Sequence, residues 1–212
     1  MSVPNNRRIW DISQVLRPGL PVWPGDTAFA ANRTWRMEEG SPVNVSSLTM
    51  STHSGAHADA PLHYDAAGLD IASVGLEPYL GECLVIDARD ARPLIEPSDI
   101  PALDGVRRVL FRTFERFPHD LWEEMTTAVS PAAIERLASE GVLLVGIDTP
   151  SIDPQDSKIM LAHRAVLRHD MRVLEGLVLD DVPPGRYELI ALPLPIASAD
   201  ASPVRAIVRE LA

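Results

Sequence analysis

The sequence predicts an α/β domain built around a β core with few helices. Three observations carry that expectation: a length of 212 residues, seven apolar runs of strand length against two helical stretches, and 19 prolines spread along the chain without a linker. At about 150 residues per domain, the length favours one domain, 1–212, over two. Hydrophobic residues make up 46% and charged residues 23%, which excludes a disordered or collagen-like chain.

The strand-length runs are Val43 to Ser51, Cys83 to Ile86, Val106 to Arg112, Val142 to Ile147, Leu177 to Leu179, Leu189 to Leu194 and Val204 to Val208. The first helix starts at Ser130, an N-cap residue followed by Pro131, runs through Leu137 and is ended by Gly141. A second helix is expected from His163 to Leu174, where Val166, Met171 and Leu174 alternate with Arg164, Arg168 and Arg172. Strand order is not legible at this level.

A net charge of −11 argues against nucleic acid and against an anionic membrane surface as partners. Cys83 is the one cysteine, so no intramolecular disulfide and no Cys-based zinc finger can form. It opens an apolar strand and reads as a buried, inert thiol. Met1 to Arg8 are followed by Trp10-Asp11-Ile12-Ser13 rather than an apolar stretch, and no run of 18 apolar residues occurs, so a cytoplasmic protein is expected.

The most informative segment is Ser51-Thr52-His53-Ser54-Gly55-Ala56-His57-Ala58-Asp59-Ala60-Pro61-Leu62-His63, which holds three of the six histidines. Positions 53, 57, 59 and 63 share one parity, so a strand points them to one face. A straight strand still fails as a single metal site. It would set His53 and His57 roughly 13 Å apart at about 3.3 Å per residue, whereas an imidazole nitrogen must lie about 2.1 Å from zinc. The chain has to bend, and Gly55 permits it. Gly55 and Pro61 both argue against a regular helix, so a bent loop after a strand is expected. Imidazole and carboxylate suit zinc, manganese or iron(II). Two blander readings exist. Loop histidines that bind nothing fit poorly with four aligned His/Asp positions, and a purely structural zinc fits poorly with a set lacking cysteine.

The spacing His-x-Gly-x-His-x-Asp-x-Pro-x-His resembles the signature of the metal-dependent cyclase-type hydrolases. Further segments resemble one branch of that family, the bacterial kynurenine formamidases (arylformamidases). They are Trp10 to Ser13, Val22-Trp23-Pro24-Gly25-Asp26-Thr27, Asp148-Thr149-Pro150-Ser151, His163-Arg164-Ala165-Val166, Leu174-Glu175-Gly176-Leu177-Val178-Leu179-Asp180 and Ala199-Asp200-Ala201-Ser202-Pro203-Val204-Arg205. Ala56 departs from the Thr common in the wider family and is usual in the branch.

The resemblance implies a cyclase-like α/β domain with a mixed, barrel-like β core, and a homodimer. It implies hydrolysis of N-formyl-L-kynurenine to L-kynurenine and formate, with zinc, two ions per chain, as cofactor and manganese as an alternative. It assigns His53, His57 and Asp59 to one metal, Asp59 and His163 to a second, and Glu175 to both. His63 becomes the proton donor and acceptor, and Trp23 lines the substrate pocket, with Tyr64 in a similar role. The residues alone leave alternatives. His163 and Glu175 read equally as surface residues, His63 as a further ligand, and Trp23 as core. Ser202 and the Asp148 segment read as turns. Another amide hydrolase of the family, acting on isatin or a different aryl amide, shares the His loop, as does a catalytically silent metal-binding protein.

Overall fold

A strand covered on both faces is apolar throughout rather than alternating, and that pattern marks the centre of the main sheet. The structure is a computed structural model and describes residues 7–212. Its strands are β1 (Ile9–Asp11), β2 (Ala30–Trp35), β3 (Val45–Thr49), β4 (His57–Asp59), β5 (Leu80–Asp87), β6 (Leu94–Ile95), β7 (Arg108–Arg112), β8 (Ala128–Val129), β9 (Leu144–Ile147), β10 (Arg172–Glu175), β11 (Gly185–Ile190), β12 (Ala201–Pro203) and β13 (Ile207–Arg209). Two α-helices, α1 (Pro131–Ser139) and α2 (Leu161–Arg168), complete the set among the described residues.

Nine strands form one sheet in the order β1-β13-β11-β5-β7-β9-β10-β4-β12, which curls into a half-barrel. The central steps β5–β7, β7–β9 and β9–β10 are parallel. The flanks are antiparallel, including β10–β4 and β4–β12. Alternate residues of the central strands enter two separate cores. Leu110, Leu144 and Leu174 join Trp10, Ile12 and Tyr79 on one face. Val109, Phe111, Val145, Ile147 and Val173 face α1 and α2 on the other, against Ile134, Leu137 and Val166. The predicted fold class, a mixed and barrel-like β core with few helices, is what forms. No helix among the described residues is long and apolar enough to cross a membrane.

Local expectations fare unevenly. Ser130 caps α1, its side chain accepting a hydrogen bond from the Ala133 amide at 3.1 Å, and Gly141 ends that region with φ +83°. The second helix stops at Arg168, not Leu174. Asp170 turns the chain with φ +50°, and Arg172–Glu175 is strand β10. Consecutive Val173 and Leu174 bury into opposite cores, which a strand allows and a half-buried helix does not. Residues 177–179 form no strand; Val178 instead donates to the Ile12 carbonyl at 2.9 Å. β11 ends at Ile190, just before the Leu192-Pro193-Leu194-Pro195 stretch, where proline offers no N–H to a ladder. Val204 to Val208 splits between the surroundings of β12 and β13. β1 and β2 are strands that apolar runs did not signal. Cys83 lies in the middle of β5, where burial pushes its thiol up to about 12.

Ser130→Ala should lower unfolding free energy by about 1 kcal/mol, the worth of one N-cap. Chemical denaturation measures it.

Candidate metal centre

The histidine loop bends where the sequence allows. Gly55 sits at φ +68°, and the chain then enters β4, where His57 and Asp59 share one face and Ala58 fills the core opposite. The expected loop is therefore a turn that runs into a short strand. A 3-10 turn, Pro61–His63, carries His63. Register does the rest: antiparallel pairing sets Glu175 of β10 opposite His57, with Glu175 Oε2 3.3 Å from His57 Nε2. Glu175 is thus the last residue of a strand, not a residue between a helix and a strand.

His163 comes from the first half of α2. Asp153 accepts hydrogen bonds from the Ala162 and His163 amides, both at 3.0 Å, serving as the missing cap of α2. The same carboxylate accepts His163 Nδ1–H at 2.7 Å, which aims Nε2 at Asp59 Oδ2 (3.2 Å) and Glu175 Oε1 (3.5 Å). His57 is fixed likewise: Nδ1–H donates to the Gly55 carbonyl at 2.9 Å, leaving Nε2 3.5 Å from Asp59 Oδ1. His53 Nδ1 lies 3.2 Å from that same Asp59 oxygen. Each carboxylate therefore reaches to both sides. Asp59 gives Oδ1 to His53 and His57 and Oδ2 to His163, while Glu175 gives Oε2 to His57 and Oε1 to His163.

These atoms fit a metal. His57 Nε2 and Asp59 Oδ1 are buried without a hydrogen-bond partner, and such groups are costly unless something satisfies them. Among the described residues, histidines alone lie within salt-bridge distance of Asp59 and Glu175; no Lys or Arg does. Ligand atoms of His53, His57 and Asp59 fall within 4.8 Å of one another, as do those of Asp59, His163 and Glu175. A nitrogen and carboxylate set of this kind suits zinc or manganese.

The electrostatics agree. Burial alone raises the Asp59 carboxyl, but the hydrogen bond from His163 and the proximity of His53 and His57 hold it well below the usual range. Burial and the Asp59 charge both push Glu175 up, and His163 and His57 bring it below its ordinary value. Burial lowers His53, yet Asp59 and Asp200 pull it up to about 9. Asp153, Asp59 and Glu175 likewise raise His163 well above its ordinary value against the cost of burial, so His53 and His163 set positive charge beside the two carboxylates; a dication held by the same nitrogens would take over that role.

His53, His57, His63 and Glu175 line one cavity of about 540 Å³, whose other walls include Trp23, Trp122, Phe114 and Phe117. Trp23 is 39% exposed in its Trp23-Pro24-Gly25-Asp26 turn, so it is not core. Its ring meets Trp122 edge-on at 5.5 Å. Tyr64 does not line this cavity; its ring packs against His163 at 5.2 Å. Asp148 follows β9 directly and holds the Phe114 wall, accepting from the Thr113 and Phe114 amides at 2.8 and 3.0 Å. Ser202 is a buried strand residue of β12 rather than part of a turn.

Sequence reasoning missed Asp153 and Trp122, and quoted Asp200 without giving it a task. Asp153 follows the Asp148 segment by two residues, but its partner His163 is ten residues on, and only the α2 cap joins them.

Two glycines set how closely the loop meets β10. Gly176, at φ +65°, approaches so closely that a Cβ there would lie 2.6 Å from the Gly55 carbonyl oxygen. Backbone meets backbone, so no rotamer change relieves the clash. Gly176→Ala should cost about 1–3 kcal/mol and weaken metal retention, because it drives His57 from Glu175. Thermal unfolding and elemental analysis after gel filtration read the two effects.

Residues 10–154 match the family model named Cyclase. A kynurenine formamidase of Erythrobacter litoralis (strain HTCC2594) is 61% identical over 207 residues, 98% of this chain and 96% of that protein. A kynurenine formamidase of Maricaulis maris (strain MCS10) is 59% identical over 206 residues, 96% of this chain and 99% of that protein. Among solved structures, a potential metal-dependent hydrolase with cyclase activity superposes with a TM-score of 0.83 at 29% identity, covering 97% of this chain and 99% of that one. On this sequence match and this shared architecture, the chain belongs to the Cyclase family of metal-dependent amidohydrolases.

Proposed function

We propose that this chain hydrolyses N-formyl-L-kynurenine to L-kynurenine and formate, a step of tryptophan catabolism, as a cytoplasmic homodimer. The reading assigns a binuclear zinc site. His53, His57 and Asp59 hold one ion, Asp59 and His163 the other, and Glu175 reaches both; manganese suits the same donors. The observation that carries the proposal is one cavity lined both by aromatic rings and by His53, His57, His63 and Glu175. Relatives of about 60% identity along nearly the whole chain are kynurenine formamidases, which supports this substrate over other aryl amides.

The metal, when bound, supplies Lewis acidity that brings water toward a pKa of about 7 and polarises a carbonyl. The chain's own residues do the remainder. Trp23 and Trp122 offer an aromatic face and edge to the substrate's benzene ring. Besides its oxygen and the amide nitrogen the formyl carbon carries only a hydrogen, so it approaches the histidines and Glu175 more closely than a bulkier acyl group. Water oxygen bonds to that carbon and the C–N bond breaks. The departing aryl amine leaves poorly as an anion, and His63 gives it a proton taken from the attacking water.

The test is release of formate from N-formyl-L-kynurenine by purified protein, beside formanilides and isatin, with metal measured in the same sample. Formate release with about two ions per chain is expected. Opening of isatin without formamide hydrolysis makes the chain a different amide hydrolase, and metal without turnover of any substrate makes it a silent binder. One ion with full activity removes the binuclear site.

His57→Ala should lose metal and activity together. His63→Ala should keep its metal and lose about 10²–10⁴-fold in kcat, more for aniline than for anilines bearing electron-withdrawing groups. Equal slowing of all leaving groups assigns His63 another role. Trp23→Ala should raise KM by roughly 2–10-fold, the worth of one aromatic contact of about 0.5–1.5 kcal/mol, with little change in melting temperature. A large fall in melting temperature with unchanged kinetics contradicts the pocket role.

A further inference from the structure

Asp200 joins two histidines of the site through a single oxygen. Its Oδ2 lies 3.0 Å from His53 Nε2 and 3.2 Å from His63 Nδ1, and its Oδ1 accepts the Thr52 hydroxyl at 3.0 Å. The pairing of β12 with β4, Ala201 opposite Asp59, brings it there, and the Ala60 amide donates to the Asp200 carbonyl at 2.8 Å. His53, His63 and Asp200 are also close enough together to hold an ion.

Imidazole chemistry argues against that third ion. A neutral imidazole has one lone pair and one N–H. His53 turns Nδ1 toward Asp59, within the first ligand group, so Nε2 carries the hydrogen and donates to Asp200. Binding a second ion through Nε2 requires His53 to lose that proton as well, or to abandon Asp59. With Oδ2 accepting from His53, the same oxygen accepts from His63 Nδ1–H. The one lone pair left on His63 is then at Nε2.

We propose that Asp200 is the positioning residue of the reaction. It holds His63 in the tautomer with hydrogen on Nδ1, so that Nε2 exchanges the proton, and it holds His53 with Nδ1 free to ligate. The inference rests on the assignment of His63 to proton transfer. As water adds to the formyl carbon, Nε2 takes one proton from it. As the C–N bond breaks, Nε2 returns that proton to the amine nitrogen, and Nδ1–H stays on Asp200 throughout. A carboxylate serves better than an amide here, because it accepts from both rings and opposes the charge that His63 gains in transit.

The test uses zinc-loaded Asp200→Asn beside native protein and His63→Ala. Nitrogen-15 NMR of histidine-labelled protein, with the His63 signals assigned by their loss in His63→Ala, should show hydrogen on Nδ1 in the native chain. In Asp200→Asn the population should shift toward hydrogen on Nε2. Zinc content should stay near native while kcat falls about 10–100-fold, the range for partners that orient a site residue. The fall should be greater for formanilide than for nitro-substituted formanilides, with KM little changed, and Asp200→Glu should recover part of the loss. An unchanged His63 tautomer in Asp200→Asn overturns the proposal, as does loss of zinc in step with activity. Native kinetics in Asp200→Asn beside an impaired His63→Ala overturns it while leaving His63 as the proton-transfer group. Native rates in His63→Ala remove the underlying assignment together with the proposal.

Discussion

Two carboxylates buried side by side, Asp59 on β4 and Glu175 on β10, are the constraint around which the site is arranged. Neither has a Lys or Arg partner among the described residues; histidines from two separate segments, the loop that runs into β4 and helix α2, converge on them instead. A pair of negative charges in a low-dielectric interior is costly unless cations lie close by. Protonated imidazoles or metal ions meet that need, and both arrive through the same nitrogens.

Placing those nitrogens requires that every ring be held from behind. His57 leans on the Gly55 carbonyl, His163 on Asp153, and His53 and His63 on Asp200. In each case one ring nitrogen is tied by a hydrogen bond and the other is left to the site, so tautomer and orientation are set together. Asp153 has a further duty, since it also supplies the cap that α2 lacks. The helix start and the ring orientation therefore stand or fall together.

The sheet makes this arrangement rigid. β10 is clasped by parallel β9 on one side and antiparallel β4 on the other, and its Val173 and Leu174 anchor it in both cores. Glu175, at the strand's end, inherits that rigidity. The aromatic walls hang on less regular chain: Asp148 ties down Thr113 and Phe114, and the Trp23 turn is closed by its own backbone hydrogen bond. Polar residues held by strands beside walls of loop residues suit a site whose polar groups are fixed while its walls adapt.

Short-range features were legible in the sequence. The bend at Gly55 follows from the reach of two imidazoles across four residues, the cap at Ser130 from a hydroxyl before Pro131, and the central strands from unbroken apolar runs. The resemblance in the motifs added His163 and Glu175, which their surroundings alone left ambiguous. Tertiary structure decided what depends on long-range pairing. Arg172 to Leu174 looks helical by its spacing of apolar and basic residues, and becomes part of strand β10 because two cores and two neighbouring strands await it. Asp153 and Asp200 acquire their tasks only when α2 and β12 dock. Residue type and near spacing are properties of the chain itself, whereas a hydrogen bond between positions 63 and 200 exists only once strand order has closed the distance.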